Sequence, residues 1–216
     1  MGGSLVSSSV DSPDNVIDNL PVCNYFIMML ISLCFVFQII FDPDVHFLNV
    51  LVLKNWSLSG ILGYSWLQSN TGHLGDNLLA LMIFGRHVSL KMSKRVYFSS
   101  YIIFGIVAAA VHLLFDGRPA VGASGAIMGI LGLHMVICYK KFGKAGPWLI
   151  IVWIFLTVAA GVNNTTTIAY MEHFGGFLCG MFIGVFLIYL NATNCDDTDP
   201  GLLRLISRLR PCTVAA

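Results

Sequence analysis

The stretch AVGASGAIMGILG at residues 120–132 decides how this chain is interpreted. It opens an apolar run that continues to Tyr139 and is long enough to enter a bilayer, yet it holds one hydroxyl group, on Ser124. Polar side chains within a membrane span are costly and generally face a protein interior or a wet cavity. The stretch therefore predicts a membrane helix that begins beside a polar site.

The rest of the chain has the composition of a membrane protein. Hydrophobic residues make up 56% of the 216 residues and charged residues 11%, with a mean hydropathy of +0.79, which excludes an ordinary soluble globular protein. Six apolar stretches are each close to the ~20 residues that a helix needs to cross a bilayer. They are residues 25–41, 73–90, 96–115, 121–139, 147–162 and 168–190. We predict an all-α membrane protein with six transmembrane helices.

Basic residues are distributed unevenly between these spans, which indicates an orientation. Ten of the twelve Lys and Arg residues lie near the end of span two, between spans two and three, between spans four and five, or after span six. Only Lys54 and Arg118 lie in the other loops. Since cytosolic loops carry the excess of basic residues, we predict that the basic side and both termini are cytosolic.

The two ends of the chain differ from the membrane domain, which we place at residues 24–190. Residues 1–23 hold no Lys or Arg and many Ser and Asp, and predict a short disordered cytosolic tail. Residues 191–216 predict a second cytosolic tail. Within it, residues 202–210 put apolar side chains on one helical face and suit a helix lying on the cytosolic leaflet, with a frayed tail as the alternative.

Polar residues recur at the outer starts of three spans. The alternating topology brings HLGDN of span two, GASG of span four and MEHFGG of span six to the same side of the membrane. This convergence follows from the charge distribution alone. The side chains that it gathers are His73, Asn77, Ser124 and His173.

Glycines at helical spacing follow the serine and the last histidine of this group. Stripes of small residues let helix backbones approach closely in lipid. The glycines that we expect to pack together are Gly125 and Gly129 in span four and Gly176 and Gly180 in span six. Facing stripes would bring Ser124 and His173 together near the outer end of the pair. The alternative is that the glycines serve generic helix packing and that Ser124 is one more small residue.

These residue types suit acyl transfer. A serine is a weak nucleophile until a base accepts its proton, and a histidine suits that task near neutral pH. His73 and Asn77, four residues apart on one helical face, can donate hydrogen bonds to a developing oxyanion; the alternative is that they cap the helix or bind lipid headgroups. His112 is the second candidate for the base. Glu172 adjoins His173 but points about 100° away around the helix, so we do not assign it as a third member.

At these residues the sequence resembles the rhomboid family of intramembrane serine proteases. The GxSG motif of that family is similar to residues 122–125, its catalytic histidine followed by glycines to His173, and its HxxxN motif to His73 and Asn77. The resemblance implies a six-helix rhomboid-like bundle in which Ser124 is the nucleophile, His173 the general base, and His73 and Asn77 the oxyanion-side residues. A histidine common in the family five residues before the HxxxN motif is Gln68 here.

The sequence therefore predicts a serine endopeptidase of the rhomboid type, which cleaves transmembrane segments of other membrane proteins within the membrane. We expect single-pass membrane proteins as substrates, the lipid bilayer as surroundings, and no cofactor, metal or nucleic acid. A non-catalytic membrane factor that binds transmembrane clients for trafficking or degradation is the alternative. Sequons in the outer loops favour a secretory-pathway or plasma membrane, and the acidic first residues disfavour the mitochondrion.

Overall fold

The computed structural model describes residues 21–42, 46–138, 170–194 and 198–209, and the regular elements in these ranges are helical. The α-helices are α1 (Val22–Phe41), α2 (Leu58–Gly63), α3 (Thr71–Ala80), α4 (Arg86–Ser89), α5 (Lys94–Phe115), α6 (Ser124–Ile137), α7 (Tyr170–Tyr189) and α8 (Pro200–Leu209). Short 3-10 turns cover Leu48–Leu51 and Tyr64–Trp66. A π-helical turn, Leu81–Gly85, joins α3 to α4.

Three of the described helices are long and apolar enough to cross a membrane. They are α1, α5 and α7, with mean hydropathies of 2.1, 2.0 and 1.7. They correspond to the spans predicted at residues 25–41, 96–115 and 168–190. The span predicted at 73–90 is occupied by α3, the π-helical turn and α4 in succession. The span predicted at 147–162 lies outside the described residues.

The fourth predicted span is shorter than the sequence indicated. Residues 121–139 were expected to be helical, whereas α6 begins at Ser124 and has only 14 residues. The cause is local: Gly122 has a φ of 140°, and the backbone of Ala120 pairs with that of Leu53. A helix cannot continue through either feature.

Helix α6 forms the centre of the bundle. All its residues except Ser124 and Met135 are buried, and it packs against α5, α7 and the π-helical turn. At about 1.5 Å per residue its 14 residues reach roughly 21 Å, less than the ~30 Å of a bilayer core. Because α6 faces protein rather than lipid, its length does not have to match the membrane.

Contacts between loops show which helix ends lie together. The loop residue Leu53 and Ala120, just before α6, exchange two backbone hydrogen bonds of 3.0 and 2.9 Å. At the opposite end of the bundle, the backbone of Asn194 bonds to that of Lys91 at 2.7 Å. These contacts agree with the alternation of spans that the sequence indicated. The assignment of the basic end to the cytosol rests on the charge rule.

The C-terminal amphipathic segment forms helix α8. Leu202, Leu203 and Ile206 of this helix pack against the core, and Ile206 is almost fully buried. Leu205 is exposed. The apolar face that the sequence placed on the lipid leaflet therefore covers the end of the bundle in part, because the ends of α6 and α7 offer it an apolar surface.

Candidate active site

The turn before α6 brings a histidine next to the GASG motif. A Cβ atom on Gly122 would lie 2.5 Å from Cε1 of His73, and the φ of 140° at Gly122 independently favours glycine. The His73 ring therefore occupies the space that a side chain at residue 122 would need. Since Gly122 lies two residues before Ser124 in the chain, this contact places the His73 ring close to the start of α6.

Helices α6 and α7 approach each other at backbone distance. A methyl group on Gly176 would overlap the carbonyl oxygen of Gly125, and one on Gly180 would overlap that of Gly129. Packing this close between helices requires glycine. The contact begins at the first turn of both helices, where Ser124 and His173 lie.

Glu172 links these two first turns directly. Its side chain is 1% exposed, and Oε1 accepts a hydrogen bond of 3.0 Å from the backbone N–H of Gly125. The N-cap of α6 is Ala123, which has no side-chain acceptor for the free N–H groups of the first turn. Sequence reasoning set Glu172 aside because it points away from His173. The indication that sequence reasoning missed was the charge of Glu172, because an acidic side chain can accept hydrogen bonds from the N-terminus of a neighbouring helix.

Tyr64 holds the loop beside this contact. It is fully buried; its carbonyl accepts from the N–H of Gly122 at 3.0 Å, and its hydroxyl donates to the carbonyl of Gly105 at 2.9 Å. The hydroxyl also lies within hydrogen-bonding reach of Glu172. Burial raises the pKa of the Tyr64 phenol well above its usual range, and the nearby Glu172 carboxyl adds to the rise. The phenol therefore stays neutral and able to donate.

Asn77 is anchored by the residue at which the sequence departs from the family pattern. Nδ2 of Asn77 donates to Oε1 of Gln68 at 2.8 Å, and both side chains are buried. Gln68 is in turn held by Gln38, through bonds of 3.2 and 2.9 Å to its N–H and carbonyl. Since an amide has two N–H groups, one remains on Asn77 for a ligand. The sequence alone did not indicate this role for Gln68.

His73 is anchored in the same loop. Its Nδ1 shares a hydrogen bond of 3.0 Å with the hydroxyl of Ser69, and its backbone N–H is capped by Asn70 at 2.9 Å. With Nδ1 engaged, Nε2 is the ring nitrogen left for another partner. His73 also lies close enough to His173 for charges on the two rings to repel.

The other buried histidines are engaged elsewhere. Nε2 of His112 bonds to the carbonyl of Arg118 at 2.7 Å, and since a carbonyl only accepts, this nitrogen carries the hydrogen. His134 lies ten residues beyond Ser124 on α6, with its ring against Phe84. Nε2 of His112 is therefore unable to accept a proton from Ser124, and His134 lies too far along α6.

His73, Ser124 and His173 thus lie around the start of α6, and Asn77 lies one helical turn beyond His73 on α3. Ser124, His73 and His173 are partly exposed, whereas Asn77 and the neighbours Gly125 and Glu172 are buried. A hydroxyl, two imidazoles and an amide around a helix N-terminus are the groups that acyl transfer uses. Among the described residues no cluster of three or more His, Cys, Asp or Glu suits a metal ion.

Membrane-length helices packed around a short buried helix, with a polar cluster at its start, define a polytopic helical membrane protein. A sequence model of the Rhomboid domain matches residues 55–190, which is more than half of the chain. The chain therefore belongs to the rhomboid family.

Individual relatives agree with this membership. The chain is 28% identical over 141 residues to RHOMBOID-like protein 5 of Arabidopsis thaliana, covering 62% of this chain and 45% of that protein. It is 28% identical over 142 residues to Rhomboid protein 1, mitochondrial, of Saccharomyces cerevisiae, covering 59% and 41%. It is 30% identical over 119 residues to Rhomboid protease GluP of Bacillus subtilis, covering 54% and 23%. Each match spans less than half of the relative's length.

Proposed function

We propose that this rhomboid-family protein is an intramembrane serine endopeptidase in which Ser124 is the nucleophile and His173 the general base. The observation that carries the proposal is the Gly125–Glu172 hydrogen bond of 3.0 Å, because each of its two residues directly adjoins one member of the dyad. One relative, GluP, is a rhomboid protease by name.

The proposed reaction uses groups at the start of α6. His173 accepts the proton of the Ser124 hydroxyl while the serine oxygen attacks the scissile carbonyl, and later returns the proton to the leaving amine. The backbone N–H of Ser124, the remaining N–H of Asn77 and Nε2 of His73 are the proposed donors to the oxyanion. Water then releases the acyl group from Ser124.

The proposed substrates are transmembrane segments of single-pass membrane proteins. The serine lies on a helix buried within the bundle, so the scissile bond has to reach it inside the membrane domain. A substrate helix would have to unwind locally, because peptide groups in an intact helix are hydrogen-bonded and shielded.

Cleavage by purified protein tests the proposal. The full chain is reconstituted in liposomes with a panel of single-pass substrates, and products are identified by mass spectrometry, with Ser124→Ala as the control. Cleavage by the wild type that is absent from the variant supports an endopeptidase. Stable binding of the same substrates without cleavage, unchanged by Ser124→Ala, would instead support the client-binding alternative.

The membrane and orientation form a separate proposal. We propose a secretory-pathway or plasma membrane with the basic loops cytosolic, based on the outer sequons and the charge rule. Family membership leaves the organelle open, since one relative is mitochondrial. Glycosylation at Asn55 in cells would support both parts. Cysteine labelling that put residues 55 and 91 on one side would overturn the orientation.

A further inference from the structure

Glu172 is a buried acidic residue that the proposed reaction does not use. It lies in the first turn of the apolar helix α7, one residue before His173, and is 1% exposed. A carboxyl group removed from water requires hydrogen-bond partners. The hydrogen bond described for it comes from the N–H of Gly125 at 3.0 Å, and the hydroxyl oxygen of Tyr64 lies nearby.

The start of α6 has a matching requirement. The first turn of any helix leaves N–H groups without partners in the helix, and a Ser, Thr, Asp or Asn at the N-cap usually accepts from one of them. Here the N-cap is Ala123, which provides no acceptor. The hydroxyl of Ser124 cannot serve both as a cap and as a nucleophile. The acceptor comes instead from another helix, through Glu172.

The close approach depends on glycine. A Cβ atom on Gly125 would collide with Oε1 of Glu172 and lie 2.8 Å from Cβ of Ala108, so glycine leaves the room that the carboxyl group occupies. The bond also gives the two backbone N–H groups at the start of α6 different partners. Glu172 takes the N–H of Gly125, which leaves the N–H of Ser124 for an oxyanion.

We propose that Glu172 is a positioning residue, which caps α6 from α7 and thereby fixes the separation of Ser124 and His173. The inference rests on the proposed function. Beside the packing of Gly176 against Gly125, the hydrogen bond from Gly125 to Glu172 is the polar link described between the first turns that carry Ser124 and His173. Loss of that bond lets the first turns of α6 and α7 move relative to each other.

The role differs from that of a catalytic-triad carboxylate. Such a carboxylate accepts from the ring N–H of the base, and changing it to the amide costs about 10⁴-fold in kcat in chymotrypsin-type enzymes. Glu172 accepts from a backbone N–H of the neighbouring helix. An amide oxygen can accept that bond equally well, so the charge is not required.

Three variants of the full chain test the proposal. Glu172→Gln keeps an acceptor, and Glu172→Met keeps the volume but removes it. Thr198→Val is the matched control, because it removes a buried bond to the opposite end of α6, from Thr198 Oγ1 to the carbonyl of Ile137 at 3.3 Å. The readouts are kcat and KM on a transmembrane substrate in liposomes, the melting temperature, and amide hydrogen exchange at residues 124–130.

We expect the Glu172→Gln variant to keep most of the wild-type kcat. Glu172→Met should lower kcat by about 10²-fold with little change in KM, because a small misplacement of reacting groups costs about this much in rate. The same variant should also speed amide hydrogen exchange at residues 124–130. Thr198→Val should leave kcat unchanged. If the wild type does not cleave, the proposed function fails, while faster exchange in Glu172→Met alone still supports the cap.

Three results would overturn the proposal. Equal losses of about 10⁴-fold in Glu172→Gln and Glu172→Met would indicate a triad carboxylate. Wild-type exchange in Glu172→Met would show that α6 needs no cap from α7. A loss of kcat in Thr198→Val as large as in Glu172→Met would mean that general destabilisation is responsible.

Discussion

The two ends of helix α6 are both completed by residues from elsewhere in the chain, but with different chemistry. At the N-terminal end, Glu172 accepts from the N–H of Gly125 at 3.0 Å, among polar groups and beside the partly exposed Ser124. At the other end, the fully buried Thr198 donates to the carbonyl of Ile137 at 3.3 Å, among apolar side chains.

The difference separates positioning from stability within a single helix. In the proposed enzyme the N-terminal end holds the reactive groups at defined distances, so changes there should appear in kcat. The far end only completes a buried helix terminus, so changes there should appear in the free energy of unfolding. The glycine contact between the two ends serves both, because it sets how closely α6 and α7 pack.

The largest effect is expected at the N-terminal end of α6. Ser124→Ala or His173→Ala should each remove essentially all cleavage, and the double variant should be little worse, because the two residues act as one unit. Cleavage rates of reconstituted protein measure this. Thermal stability should remain close to the wild type in both, since the two side chains are partly exposed. Full activity in either single variant would exclude the proposed dyad.

Asn77→Ala should have the next largest effect. Loss of one oxyanion donor lowers kcat by roughly 10² to 10³, with KM changed little. Steady-state kinetics on a transmembrane substrate give both constants. Asn77 also bonds to Gln68, so a structural role alone would lower the melting temperature and leave the kcat of the folded protein intact. That result would show that Asn77 has a structural role and does not stabilise the oxyanion.

A substitution at the glycine contact with the middle of α6 should lower the free energy of unfolding. Gly180→Ala places a methyl group against the carbonyl oxygen of Gly129, and overpacking of this kind costs about 1–3 kcal/mol. Gly75→Ala is the matched control, because nothing lies within 4 Å of its Cβ position and alanine is favoured in a helix. Thermal unfolding in detergent compares the two. Equal melting temperatures would mean that α6 and α7 are not in backbone contact.

Thr198→Val should have the smallest effect. The loss of one hydrogen bond costs about 1 kcal/mol, and the kcat of the folded enzyme should not change. A melting curve and the cleavage rate of the same sample measure both quantities. A lower kcat with an unchanged melting temperature would show that the two ends of α6 are coupled.

The sequence indicated the candidate site residues more readily than the residues that hold them in place. His73, Asn77, Ser124 and His173 could be grouped because basic loops give the topology, and polar residues are conspicuous in apolar spans. The start of α6 was placed three residues too early, since the positive φ of Gly122 arises from its contacts with the loops.

The supporting residues depend on contacts across the fold. In the sequence, Gln68 is one of several polar residues in a loop. The fold buries it and brings it into a hydrogen bond with Asn77, nine positions away. Glu172 binds a backbone N–H 47 positions away, and a backbone donor leaves no mark in residue identity. Neither partnership has a spacing that can be read along the chain.

The short length of α6 has a consequence for where a substrate is cut. An upright helix of roughly 21 Å with its far end at one boundary of the ~30 Å hydrocarbon core would place Ser124 about 9 Å below the other boundary. In an upright substrate helix, that depth corresponds to about six residues. For the proposed endopeptidase, the cleavage position would then be measured from the membrane surface, and lengthening the apolar segment of a substrate at its outer end should move the cut by the same number of residues.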